Sequence, residues 1–317
     1  MQRRTLLLAP AAGLALPALV RGQGLPAVVA SFSILGDVVR QVAGERPLAL
    51  QVLVGPDADA HEFQPRPSDV ERLRGAALLV RNGLGFDGWM DRLVRASGSG
   101  ATLVTATEGV TPRVMQAGHS HSPGSGARRR QAQAAAPSRT PDPHAWGDPR
   151  NAATYARNVA AGLAAADPGN AALYRGNAEA YAARLATLHE EVRAAVAAVP
   201  EARRVVVTSH DAFGYYGDAY GIRFLAPQGP STGGEASAGE VAALIRQIRA
   251  EGITAVFVEN MSAPATLERL AREAGVRVSG RLYADALSGA GGPATTYEAL
   301  VRHNTGLMVA AMLRGAA

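Results

Sequence analysis

Three histidines and one aspartate, His61, His144, His210 and Asp285, lie far apart in this chain but share one kind of setting. Each stands in a short stretch of glycine, proline and turn-forming residues just beyond a predicted strand. The stretches are DADAHEFQPRPSD (57–69), PDPHAWGDPRN (141–151), VVVTSHDAFGYYG (205–217) and RLYADALSG (281–289). Three neutral imidazoles and a carboxylate are a donor set that a transition metal of intermediate softness binds in tetrahedral geometry, zinc above all. One such histidine alone would be read as serving the fold. Four groups in equivalent settings point to a metal site.

Other residues of these loops could take part. Glu62, beside His61, could replace Asp285 as the carboxylate or accept a hydrogen bond from an imidazole. Asp59, Asp148, Asp211, Glu235 and Glu259 are further acids able to fix a histidine tautomer, although each also suits a cap or turn. Trp146, Phe213, Tyr215, Tyr216 and Tyr220 lie near His144 and His210 in sequence and could wall a cleft of low dielectric; Phe86 and Trp89 read as core of the first half.

The elements that must position these residues alternate between strand and helix. PAVVASF, LALQVLVG and ALLVRNG read as strands, with ILGDVVRQVAG and PSDVERLRGA as helices between them; the alternation resumes with RRVVVTSH, GEVAALIRQIRAEG, TAVFVEN, APATLERLAREAG and VRVSGRLYA. Such alternation predicts parallel sheets built from βαβ units, with binding groups gathered at the carboxyl ends of the strands. Two blocks imply two α/β lobes, over 24–167 and 200–317, as expected for a chain longer than one core usually allows. Between them, residues 168–199 carry Leu173, Ala180, Tyr181, Leu185, Leu188, Val192, Val196 and Val199 at helical spacing between Pro168 and Pro200. One long rigid helix linking the lobes is expected, two shorter helices broken near Gly176 being the alternative. Residues 116–143 lack either periodicity and read as a mobile loop, whose two histidines, His119 and His121, could serve auxiliary metal capture.

Composition narrows where such a site works. Residues 1–23 join two arginines to an apolar run over 5–20 broken by Pro10, Gly13 and Pro17, the pattern of a cleaved secretory signal rather than a span. An ordinary Sec signal fits better than a twin-arginine one. The chain has no cysteine, hence no disulfide, thiolate ligand or lipidated cysteine, and all 32 basic residues are arginine, which excludes a Schiff-base or Walker-type lysine. Arg3, Arg4 and Arg21 supply three of the five net positive charges, so the exported chain carries about +2, too little to suggest nucleic-acid binding. A freely diffusing, monomeric periplasmic protein is expected.

Taken with these residues, the chain resembles the zinc- and manganese-specific solute-binding proteins of bacterial ABC importers. DPHAWGDPRN and TSHDAFGYYG carry the resemblance most specifically, supported by DAHEFQPRPSD, LLVRNGLGFDGWMDRL, GEASAGEVAALI, VFVENMSAP, LYADAL and TYEALVRHN. It implies two Rossmann-like lobes joined by one long helix, with a metal held between them and handed to an inner-membrane permease driven by a cytoplasmic ATPase. It also implies that His61 and His144 ligate from the first lobe, and His210 and Asp285 from the second. The position of His210 is histidine in members that look zinc-specific and typically glutamate in manganese-like ones, so Zn2+ is the expected cargo and Mn2+ or iron the alternative. A different class, a zinc-dependent hydrolase with Glu62 as general base, would need an open coordination position. No HExxH motif is present, and Asp285 would close the site, so no enzymatic activity is expected.

Overall fold

The computed structural model describes residues 25–115, 140–234 and 236–314. The expected signal segment, His119, His121 and Glu235 therefore lie outside the described residues. The first lobe opens with β1 (Ala27–Phe32), α1 (Ser33–Ala43), β2 (Ala49–Val54), α2 (Pro67–Arg74), β3 (Leu78–Arg81), α3 (Trp89–Ser97) and β4 (Thr102–Thr105). Its four strands are all parallel in the order β2-β1-β3-β4. Central β1 is a nearly continuous apolar run because helices cover both of its faces, whereas edge strand β2 alternates exposed and covered positions along its first four residues. Two short strands, β5 (Val114–Met115) and β6 (Thr140–Pro141), then pair antiparallel. Residues 140–143, expected to belong to a mobile loop, are instead tied down by this pairing, and Asp142 is fully buried; the remainder of that expected loop, 116–139, lies outside the described residues.

After α4 (Pro149–Ala166), capped by Asp148 with Pro149 in its first turn, comes α5 (Ala171–Ala197). Its 27 residues run unbroken through Gly176, a length of about 40 Å. Tyr174, Ala178, Tyr181, Leu185, Leu188, Val192 and Val196 form its buried stripe, every third or fourth residue. The first turn departs from the sequence reading, since Leu173 is 43% exposed and Tyr174 is buried. Tyr174 wins because its hydroxyl donates to Asp167 at 2.7 Å, at the turn where the helix begins. The helix packs on α1 and α4 of the first lobe, and on α6 (Gly214–Tyr220) and α9 (Tyr297–Leu313) of the second.

The second lobe adds β7 (Val205–Val207), β8 (Arg223–Leu225), α7 (Ala238–Glu251), β9 (Phe257–Glu259), α8 (Ala265–Ala274) and β10 (Gly280–Leu282). β7 pairs with β8 and β9 with β10, all parallel, and a Val207–Val256 bridge joins the pairs. The order β8-β7-β9-β10 repeats that of the first lobe. In both lobes the opening strand lies inside the sheet and the chain leaves it in two directions, which opens a crevice at the carboxyl ends. A smaller apolar cluster lies under α7 and α8, while the main core runs through both lobes, from Val28 to Met312. No helix among the described residues is long and apolar enough to cross a membrane.

Candidate metal centre

His61, His144, His210 and Asp285 converge in the crevice between the lobes, with one donor atom from each within 4.8 Å of the others. His61 follows β2; its backbone N–H donates to Asp59 at 2.8 Å, and the neighbouring Ala60 carbonyl accepts from the Trp89 indole at 2.9 Å. His144 closes the turn between β6 and a short 3-10 helix (Ala145–Gly147). His210 follows β7, and Asp285 follows β10. All but His61 are fully buried, and the His61 side chain is 6% exposed.

Four of the donor separations suit a small tetrahedral ion. His61 Nε2 lies 3.3 Å from His144 Nε2 and 3.2 Å from Asp285 Oδ2; His210 Nε2 is 3.1 Å from Oδ2, and His144 Nε2 is 3.6 Å from Oδ1. Metal bonds of roughly 2.0–2.1 Å set tetrahedral donors about 3.3 Å apart. Both Asp285 oxygens and His210 Nε2 are buried with no hydrogen-bond partner in the protein. Buried polar atoms are rarely left so, and a bound cation would satisfy all three.

Carboxylates behind two of the rings set their tautomers. Asp142 Oδ1 faces His144 Nδ1 at 2.8 Å and also accepts the His144 backbone N–H at 3.0 Å. Glu259, at the end of β9, takes a short hydrogen bond from His210 Nδ1 and accepts the backbone N–H groups of Ser209 and His210 at 2.9 and 3.1 Å. With the proton held on Nδ1, each Nε2 lone pair is free for a metal. Burial opposes charge on His210, but Glu259 and Asp285 outweigh it and hold its pKa well above the usual imidazole value. Burial likewise opposes ionisation of Asp285, yet His210 and His144 hold its carboxyl well below the usual range.

Of the acids singled out in sequence, Glu259 thus supports a ligand ring and Asp59 supports the His61 backbone. Asp148 caps α4 and pairs with Arg150, and the Asp211 backbone bonds Gly229. Asp142 was not among them, although a carboxylate two residues before a histidine is the spacing at which aspartate bonds the following backbone N–H. Glu62 stands apart: it is exposed and packs over Gly233, where an added Cβ would meet its Oε1 at 2.3 Å.

The apolar wall also differs from the sequence reading. Phe86 lies edge-on to His61 at 4.6 Å and against Trp146 at 4.8 Å, and Trp146 packs on His144 at 5.3 Å. Phe213 stacks on Phe224, Tyr216 bonds Thr305, Tyr220 bonds His189, and the Tyr215 hydroxyl accepts from Arg113. The Trp146 indole crosses to the second lobe and donates to the Ala284 carbonyl at 3.1 Å, beside Asp285.

Residues 28–311 match the family model described as zinc-uptake complex component A, periplasmic. The chain is similar to the manganese-binding lipoprotein MntA of Halalkalibacterium halodurans, 31% identical over 291 residues that cover 92% of this chain and 89% of that protein. It is 30% identical to the iron-binding protein YfeA of Yersinia pestis, over 86% of this chain and 82% of that one. The solved structure of the periplasmic zinc-binding protein TroA from Treponema pallidum superposes with a TM-score of 0.80 at 30% identity, covering 92% of this chain and all of that one.

Proposed function

The chain belongs to the family of periplasmic zinc-uptake components, and from that membership we propose that it is the zinc receptor of an ABC-type importer. It captures Zn2+ between its lobes through His61, His144, His210 and Asp285. One observation carries this: three imidazole nitrogens and a carboxylate whose oxygens accept no hydrogen bond converge within 4.8 Å in a buried crevice. Three nitrogen donors to one carboxylate suit an ion of intermediate softness better than a hard one. The hydrated ion enters the crevice, exchanges its water for these four groups, and is held until an inner-membrane permease, driven by a cytoplasmic ATPase, separates the lobes. Four protein donors leave no position for an activated water, and Glu62 is exposed over Gly233 and is not among the converging donors, so the arrangement serves binding rather than hydrolysis. No cysteine is present to carry a lipid, which supports a freely diffusing receptor although similar proteins are named lipoproteins.

A manganese or iron cargo is the second reading, and Asp285 favours it. Both of its oxygens face the histidines, so a bidentate grip would add the hard oxygen such ions prefer. Competitive zinc and manganese titration of the metal-stripped protein, with His210→Ala in parallel, tests the assignment. The expected result is tight 1:1 zinc binding, far weaker manganese binding, and a loss of more than about a hundred-fold in zinc affinity for the variant. Equal manganese affinity would overturn the zinc assignment, and an unaffected variant would overturn the ligand set.

A further inference from the structure

His61 is not the only group of its segment that reaches the second lobe. Asp57 accepts the Asn260 side-chain amide on Oδ1 and the Gly289 backbone N–H on Oδ2, each at 2.9 Å, while its own N–H donates to the Leu287 carbonyl at 2.9 Å. Asp59 accepts the Thr232 hydroxyl at 2.6 Å on one oxygen and holds the His61 backbone on the other. Asn260 follows Glu259, the partner of His210, and also donates to the Ala286 carbonyl at 3.3 Å, next to Asp285. The segment bearing His61 is thereby tied to the loop that carries Asp285 and to the loops that follow β8 and β9. Asp57 does this from a left-handed backbone, φ 53°, which a residue with a side chain adopts at a cost and keeps only where its surroundings over-determine it. Three hydrogen bonds across the crevice provide that constraint.

On the premise that the chain is a metal receptor, we propose that Asp57 and Asp59 form an interlobe clasp that sets how fast the bound metal leaves. Release requires His61 and His144 to part from His210 and Asp285, and the clasp bonds must break in the same movement. Three of these four bonds have a carboxylate as acceptor, which makes the stronger hydrogen bond. Once the lobes part, water replaces these bonds, so the clasp stabilises the closed state and acts on dissociation rather than on capture.

The test is zinc release from the full mature protein into excess chelator, followed by stopped flow. Asp57→Gly keeps the left-handed backbone and removes only the carboxylate; Thr232→Val removes the hydroxyl that Asp59 holds without touching a ligand. Each is expected to speed release roughly ten-fold, with Thr232→Ser restoring the original rate. Zinc association and the tetrahedral absorption of the cobalt(II)-loaded protein should stay unchanged, which a distorted ligand set would not allow. Unchanged release in both variants, or faster release accompanied by altered cobalt absorption, overturns the clasp. Failure of the unsubstituted protein to take up zinc would instead overturn the receptor assignment.

Discussion

Glu259 does two things for His210 at once: it pins the ring tautomer and raises the proton affinity of the metal-free imidazole, so protons and metal compete for the site. An exposed imidazole would make metal affinity fall below pH ~6.5; here the fall begins higher, because His210 keeps its proton above that value. We expect zinc affinity to decrease as pH falls through the raised pKa of His210, by about ten-fold per pH unit for each proton displaced. Stability of the metal-free protein moves the other way. The contribution of protonated His210 is fully present below the unfolded value near ~6.5 and is lost as pH rises through the folded one. Asp285, depressed by its histidine neighbours, contributes above its ordinary carboxylate value and fails only as pH drops through the folded one. Chelator competition between pH 5.5 and 8.5 checks the first point, and a flat binding constant would remove the imidazoles from the site. At this scale His61, His210 and Asp285 were legible because each stood in a turn after a strand, and His144 because its flanking prolines marked a tight turn leading into a helix. Asp142 was not singled out, because an aspartate before proline reads equally well as a plain turn residue.

Helix α5 shows how far an element can be read from its pattern. Leu185, Leu188, Val192 and Val196 lie on the stripe that the spacing marks, whereas at the first turn the more apolar Leu173 is exposed and Tyr174 takes the interior. Hydropathy ranks Leu173 higher, but the Asp167 carboxylate beneath the turn gives the Tyr174 hydroxyl a partner that leucine cannot use. Because this helix packs against both lobes, damage to its middle should be felt in each. Leu185→Ala, at a fully buried position, is expected to destabilise the metal-free protein by about 2–5 kcal/mol. Calorimetry should show one shifted unfolding transition, and loss of stability in one lobe alone would contradict the role given to the helix. The β5–β6 pairing was not legible: two-residue strands carry no periodicity, and only the buried contacts of Asp142 show that residues 140–143 belong to the site.

On the scale of the whole molecule, the main core passes through both lobes without a break, and bonds such as Tyr297 N–H to Asp37 at 2.8 Å join their helices away from the metal. A shared core and a stiff connecting helix limit closure to small rotations. Solution scattering is expected to show only slight compaction when metal is added, and a large change in radius of gyration would mean that the lobes hinge freely. The sequence by itself determined the donor chemistry, the two parallel sheets and the helix between them, because residue type and local periodicity suffice for these. Tertiary structure alone decided that Phe86 walls the site, that Glu62 turns toward Gly233, that Asp142 and Glu259 stand behind the imidazoles, and that Asp57 reaches Asn260 and Gly289. These contacts join residues distant in the chain or depend on how a loop turns, and the way two lobes meet across a crevice leaves no period in the sequence.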